Sequence, residues 1–139
     1  MDEKAFLHKV AERLACDQKR AESLTFAVFQ ELRDRLTPHE AAHVAAQLPG
    51  GLKQLWMSFE RPDREVRKIH ESQFLGEVRR MAALPDDNEA ERAILVVFRT
   101  LQESLGSSTG REGESWDILS QLPKDLKKLW LSAREQVPF

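Results

Sequence analysis

The sequence has 139 residues, of which 41% are hydrophobic and 32% charged, with a net charge of −2. This composition is typical of a folded globular chain with well-solvated helix faces, and the length is enough for one domain or two very small ones. Lys and Arg balance Asp and Glu in both halves, at ten against eleven in residues 1–66 and eleven against twelve in residues 67–139. Neither half therefore has the basic surface that nucleic-acid binding requires.

The single cysteine and the apolar pattern exclude further classes. Cys16 is alone, so neither a disulfide within the chain nor a multi-cysteine metal site can form. No apolar run approaches the roughly 20 residues that cross a bilayer, and the opening MDEKAF lacks the apolar part of a signal peptide. We expect a cytoplasmic protein without membrane partners. Cys16 is expected to be a small buried apolar residue, with a nucleophile as the alternative if a histidine approaches it.

Four helices are predicted in the first half of the chain. Apolar residues recur every three or four positions in the first two of them: Phe6, Val10 and Leu14, then Leu24, Val28, Leu32 and Leu36. The third helix is predicted over about 38–47 and the fourth from Pro49. Proline fits the first turn of a helix and disfavours helical geometry in the residue before it, so QLP indicates a break between two helices.

The third helix contains HEAAH, which fits the H-E-x-x-H pattern of zinc metalloproteases. His39 and His43 would share a helix face and bind Zn²⁺, and Glu40 would be the general base for a metal-bound water. A third protein ligand is needed, and Glu60 or Glu65 could supply it. His39, His43 and Glu40 are the weak metal-site candidates of the sequence.

An ordinary helix start explains the same segment better. Thr37 to Glu40 form a T-x-x-E capping box with proline in the first helical position. The two histidines point away from the apolar stripe of the helix, so we expect them to face solvent. We therefore predict no metal ligand, no cofactor and no catalytic residue.

The strongest signal is internal repetition. QLPGGLKQLW at 47–56 matches QLPKDLKKLW at 121–130 in seven of ten residues. Residues 17–36 match 86–105 with a shift of 69, and FLHKV at 6–10 matches FLGEV at 74–78 with a shift of 68. Three matches in the same order predict two copies of one unit.

The second copy predicts a second set of four helices. Its apolar positions are Phe74, Val78 and Met81, then Ala93, Val97, Leu101 and Leu105, followed by a helix over 114–121 and one from Pro123. The alignment places Gly113, Glu114 and Asp117 opposite His39, Glu40 and His43, so the histidine pair is not repeated. We predict an all-α fold in which residues 1–60 and 68–139 are pseudo-repeated units of about four helices each, joined by 61–67 and packed as one helical-bundle domain.

The segments LTPHEAAHVAAQLPGGLKQLW and QLPKDLKKLW resemble the uncharacterised bacterial family called domain of unknown function 2267, over nearly the whole chain. The resemblance implies a small, all-α, cytoplasmic protein and implies no activity. It also implies acidic residues at positions 39 and 43, which makes HEAAH a chance match.

Three functions remain in view. The leading one is a non-enzymatic helical module that binds an unknown protein partner or itself. The alternatives are a metal-dependent hydrolase using HEAAH and a small-ligand-binding bundle with a pocket between the repeats. Trp56 and Trp130 are equivalent in the alignment and are predicted to be core residues, with a tryptophan-lined groove as the alternative; Trp116 is the third tryptophan.

Overall fold

The computed structural model describes residues 1–67, 71–105, 118, 120–122 and 124–137, and regular structure in these residues is entirely helical. The helices are α1 (Glu3–Leu14), α2 (Gln18–Arg33), α3 (Pro38–Ala46), α4 (Gly50–Met57), α5 (Glu71–Met81), α6 (Asp87–Ser104) and α7 (Lys124–Gln136). The predicted all-α class is confirmed. Of the helix predicted over 114–121, residues 118, 120 and 121 are described and are helical.

Polar side chains begin four of the helices. Asp2, Asp17, Thr37 and Asp86 each accept a hydrogen bond from the backbone N–H three residues later, at 2.7–3.1 Å. These bonds satisfy N–H groups that have no partner inside a helix. Pro49 precedes α4, so the prediction that α4 begins with it is wrong by one residue. Pro123, the predicted start of α7, lies outside the described residues.

Two sets of three aromatic rings occupy the core. Phe29 meets Phe6 and Trp56 edge to face, with ring centroids 5.8 and 5.2 Å apart. Phe98 meets Phe74 and Trp130 at 5.9 and 4.9 Å. All six residues are at most 1% exposed. Each set joins a first, a second and a fourth predicted helix of its half, and such edge-to-face pairs stabilise a core beyond the area that they bury.

The two halves share one core. α1 contacts both α2 and α6, α5 contacts both α6 and α2, and α2 also contacts α6. Buried apolar residues of both halves form a single cluster. Among the described residues, no helix is long and apolar enough to cross a membrane.

Met81 departs from the predicted core. Its side chain is 37% exposed, whereas Ala82 is 3% exposed and belongs to the core. The buried residues Phe74, Val78 and Ala82 follow one another at spacings of four, so the apolar stripe of α5 reaches Ala82 and leaves Met81 beside it on the exposed side. Leu14, the matching residue of α1, is partly buried against the core.

Candidate functional site

The HEAAH segment forms the first turns of α3, and Thr37 caps this helix as predicted. Its Oγ1 accepts a hydrogen bond from the Glu40 N–H at 3.1 Å. The other half of the predicted capping box is wrong: the Thr37 N–H donates to Gln121 Oε1 at 3.4 Å, and Glu40 Oε1 is buried without a hydrogen-bond partner in the part of the chain that the structure describes. A residue from the second half therefore completes this helix start.

The two histidines lie on the solvent side of α3. Both are exposed, with ring centroids 4.4 Å apart, and Glu40 Oε2 lies 3.9 Å from His43 Nδ1. Of the acidic residues considered as a third ligand, Glu60 is engaged by arginines and Glu65 is exposed. Across residues 1–67 and the other described ranges, no group of three His, Cys, Asp or Glu side chains could hold a metal ion.

The tryptophans at equivalent positions are core residues. Trp56 and Trp130 are 0% and 1% exposed, and the Trp56 Nε1–H donates to the Ala41 carbonyl at 2.8 Å. Trp116 and the residues aligned with the HEAAH segment lie outside the described residues: Gly113, Glu114 and Asp117. Because Trp56 and Trp130 are buried, the alternative of a groove that they line is wrong.

Cys16 packs at the edge of the core rather than within it. It is partly buried beside the end of α1, where its backbone N–H donates to the Ala11 carbonyl at 3.0 Å. Burial and the neighbouring Asp17 carboxylate raise the pKa of the thiol, against a smaller opposite effect of Arg20. A reactive cysteine needs a lowered pKa, so this environment favours a packing role.

A buried ion pair that sequence reasoning missed lies between α2 and α5. Arg35 is 0% exposed; its Nη1 donates to the Glu31 carboxylate at 2.9 Å, and its guanidinium lies 4.9 Å from the Phe74 ring centroid. Burial raises the pKa of Glu31 and lowers that of Arg35, although each partner's charge acts in the opposite direction. Both residues belong to the charged segment ELRDR of a predicted amphipathic helix. Nothing in the neighbouring sequence therefore indicated that these two charges would be buried.

A second network fixes the chain after α4. Arg33, 4% exposed, donates from Nη1 to the Ser58 carbonyl at 2.6 Å. Glu60 accepts hydrogen bonds from Arg64 Nε at 2.5 Å and from the Arg61 N–H at 3.0 Å. Burial alone would raise the pKa of Glu60, but the hydrogen bonds and charges of the arginines outweigh it and lower the pKa. The residues on both sides of position 59 are thus held in place.

Phe59 is presented to solvent by this network. Its side chain is 82% exposed and its backbone is left-handed, with φ 63°. A bulky side chain rarely adopts this conformation, which costs on the order of 1–3 kcal/mol and persists only where the surroundings impose it. Its only ring contact in the described structure is with the half-buried Phe26, edge to face at 6.3 Å. The sequence signal that could have found it is an apolar residue in the otherwise polar segment SFERP, just before the join.

An open groove lies between α1, α6 and the end of α7, and we call it the α6 groove. Its volume is about 540 Å³, and its apolar floor is formed by Leu95, Val96 and Val137. Charged side chains of α1 and α6 form the walls, among them Glu12 and Glu91. The volume lies within the range of ligand sites, which combine apolar surface with a few polar groups.

Two lining residues of the α6 groove, Lys9 and Arg13, belong to an ion-pair cluster between α1 and α6. Arg13 donates to both Glu103 carboxylate oxygens at 2.7 and 3.1 Å, and Lys9 Nζ lies 3.2 Å from Oε2. Burial alone would raise the pKa of Glu103, but the hydrogen bonds and charges of Arg13 and Lys9 outweigh it and lower the pKa. The positive charges of Lys9 and Arg13 are therefore directed at Glu103.

The described residues form a helical bundle whose distinctive features are a surface aromatic ring, an open groove and ion pairs. The family model described as "Uncharacterized conserved protein (DUF2267)" matches residues 3–129, so the chain belongs to this family. The resemblance inferred from LTPHEAAHVAAQLPGGLKQLW and QLPKDLKKLW is thereby confirmed. A comparison with curated proteins finds no match.

Proposed function

We propose that this protein is a non-enzymatic helical interaction module of the bacterial cytoplasm and that Phe59 anchors its partner. The observation that carries the proposal is the combination of 82% exposure with a left-handed backbone at a bulky aromatic residue. Within one chain this arrangement buries little apolar surface and has a conformational cost. An aromatic side chain held in advance in its binding conformation is typical of an interface anchor.

The network around Phe59 supports this role. Arg33 holds the Ser58 carbonyl, and Glu60 is held by Arg64, so the backbone on each side of the ring is bonded to buried groups. The segment around Phe59 then loses fewer conformations when a partner binds, so the entropic cost of binding is smaller. Buried ionic groups that position one exposed residue are difficult to explain by stability alone, because a buried ion pair often contributes little to stability.

We further propose that the chain consists of two copies of one helical unit, 1–60 and 68–139. The matched aromatic sets support this: Phe29 meets Trp56, and Phe98 meets Trp130, in the same order along each half. A matched hydrogen bond supports it as well. Arg33 Nη1 donates to the Trp56 carbonyl at 3.3 Å, and Gln102 Nε2 donates to the Trp130 carbonyl at 2.8 Å.

The α6 groove favours a small-ligand-binding bundle as a second candidate function. It lies between α1 of the first unit and α6 and α7 of the second, which is where a pocket between the repeats was predicted. Its apolar floor would take the hydrophobic part of a ligand.

The proposed function is tested by placing the photo-crosslinking amino acid p-benzoylphenylalanine at position 59 in the native host. The matched control carries it at Leu131, an exposed apolar residue of α7. We expect a discrete crosslinked protein, another protein or a second copy, from position 59 and none from position 131. Equal labelling from both positions, or none from position 59, would contradict an anchor at Phe59.

A further inference from the structure

Position 59 lies on the core side of the helical pattern that α4 begins. Leu52 and Trp56 are buried and four residues apart, and a helix that continued would bring the side chain at position 59 to the same face. Instead α4 ends at Met57, and Phe59 is 82% exposed. The exposure of this ring therefore depends on where the helix ends.

The second half of the chain shows the other conformation of the same segment. LWMS at 55–58 matches LWLS at 129–132 in three of four residues, with the shift of 74 that aligns the two QLP segments. In the second half the helix continues through this segment to Gln136. Ala133, which the alignment places opposite Phe59, is 0% exposed. Similar sequences thus end a helix in one half and continue it in the other.

Pro62 limits α4 but does not explain why the helix ends at Met57. Proline disfavours helical geometry in the residue before it, which is Arg61, and it lacks the N–H that would bond the Ser58 carbonyl in a longer helix. A helix that stops before Arg61 avoids both effects. It could therefore still reach Glu60 and include position 59.

Three buried charges hold this segment out of the helix. The side chains of Arg33, Glu60 and Arg64, which we call the triad, are only 5–8% exposed. Arg64 donates to both carboxylate oxygens of Glu60, and also to the α2 carbonyls of Arg33 and Leu36 at 3.0 and 2.8 Å. Arg33 donates to the Ser58 carbonyl at 2.6 Å and lies 3.6 Å from the Glu60 carboxylate. These contacts tie residues 58–64 to the end of α2.

The two halves differ in which of two neighbouring residues faces solvent. In the helical second half Ala133 is buried and Arg134, which the alignment places opposite Glu60, is exposed. In the first half Phe59 is exposed and the Glu60 side chain is buried. Extension of α4 would therefore move Glu60 away from its arginines and turn Phe59 toward the core.

We propose that the triad is a conformational device that keeps Phe59 exposed. While Glu60 binds Arg33 and Arg64, α4 ends at Met57; without these contacts α4 extends to Glu60 and Phe59 packs against α2. The inference rests on the proposed function, because it makes the triad residues positioning residues for the Phe59 anchor. Buried ionic groups can serve conformational specificity in this way, although they often add little to stability.

The test gives the first half the residues of the second. The double variant Arg33→Gln and Glu60→Arg introduces the counterparts Gln102 and Arg134. Backbone chemical shifts from NMR report whether residues 58–60 are helical. Fluorine NMR of p-fluorophenylalanine at position 59 reports exposure through the difference in chemical shift between light and heavy water. We expect the double variant to show helical shifts at 58–60 and to lose most of the solvent isotope shift that the natural background shows.

The matched control is Arg61→Glu, an exchange for the counterpart Glu135 at an exposed position of the same segment. It should leave both signals unchanged. Glu60→Gln, which removes one charge and keeps the shape, is the second variant if the double variant does not fold, and it should shift both signals in the same direction. A folded triad variant in which position 59 stays non-helical and exposed would overturn the inference, and so would a control that shifts equally.

Neither NMR signal requires a partner, so the inference and the proposed function can fail separately. If the ring stays exposed in the triad variants while position 59 of the natural protein crosslinks to a partner, the inference fails and the proposed function stands. If the ring turns inward in the variants but position 59 of the natural protein gives no crosslink, the triad is confirmed as the conformational device and the anchor fails.

Discussion

Ala15 and Ala83 have the same left-handed backbone, with φ 53° and 52°, although they lie 68 positions apart. In each case the next N–H closes the helix: Cys16 donates to the Ala11 carbonyl at 3.0 Å, and Leu84 donates to the Arg79 carbonyl at 2.9 Å. The separation equals the shift that aligns FLHKV with FLGEV. α1 and α5 therefore end in one geometry, which supports the proposed repeat.

Replacing either of these two alanines with glycine should stabilise the protein. The left-handed position after a helix favours glycine, because a Cβ atom is strained there. Ala15→Gly and Ala83→Gly should each raise the free energy of unfolding by about 0.5–1 kcal/mol, after the greater freedom of glycine in the unfolded chain is subtracted. Urea denaturation monitored by circular dichroism measures both.

The matched control is Ala42→Gly, at an exposed position inside α3. There the same exchange should lower the free energy of unfolding by about 0.5–1 kcal/mol, because the backbone is already helical. A loss of stability at Ala15 and Ala83 similar to that at Ala42 would contradict the left-handed assignment.

Local sequence predicts the helices but not the exposed conformation of Phe59. The spacing of Phe6 and Val10, or of Phe74 and Val78, depends only on neighbouring residues, and all four are buried as expected. The conformation of Phe59 depends on Arg33, 26 positions earlier, which bonds the Ser58 carbonyl. Such bonds between distant residues have no periodic signature, so the conformation of Phe59 could not be predicted, and the α6 groove is anticipated only as a pocket between the repeats.

The two residues of the predicted capping box should differ in their effect on stability. Thr37→Ala removes the acceptor for the Glu40 N–H and should cost about 1 kcal/mol. Thr37→Ser keeps an acceptor and should cost much less. Glu40→Gln should shift stability by less than about 0.5 kcal/mol, because Glu40 makes no reciprocal bond to Thr37. Thermal unfolding of the three variants checks this order, and a larger loss for Glu40→Gln than for Thr37→Ala would restore the full capping box.

Glu103 should make the fold sensitive to acid. Its pKa is lowered in the folded state, so it contributes stability above the ordinary glutamate pKa, about 4.3, and this contribution is lost as the pH falls through the lower folded value. Glu103→Gln should cost about 1.5–3 kcal/mol at neutral pH, the usual range for hydrogen bonds to a charged group. The difference in the free energy of unfolding between Glu103→Gln and the natural protein should become smaller toward pH 3.

The control for this prediction is Glu12→Gln, on α1 at the same groove, where the side chain is 74% exposed. It should change stability by less than about 0.5 kcal/mol at either pH. Denaturation curves at neutral and acidic pH measure both variants. A Glu103→Gln loss that is equally large at both pH values would show that the carboxylate charge is not the cause.

His39 and His43 should be dispensable for folding, and the protein should bind no stoichiometric zinc. Both side chains are exposed, and a zinc site needs at least three protein ligands, whereas this helix places two. The double substitution His39→Ala and His43→Ala should shift stability by less than roughly 0.5 kcal/mol, and a chelator should leave the helical circular-dichroism signal unchanged. Metal analysis of protein purified without added metal gives the direct measurement. One zinc ion per chain, lost in the double variant, would contradict the interaction module and favour the metal-dependent hydrolase.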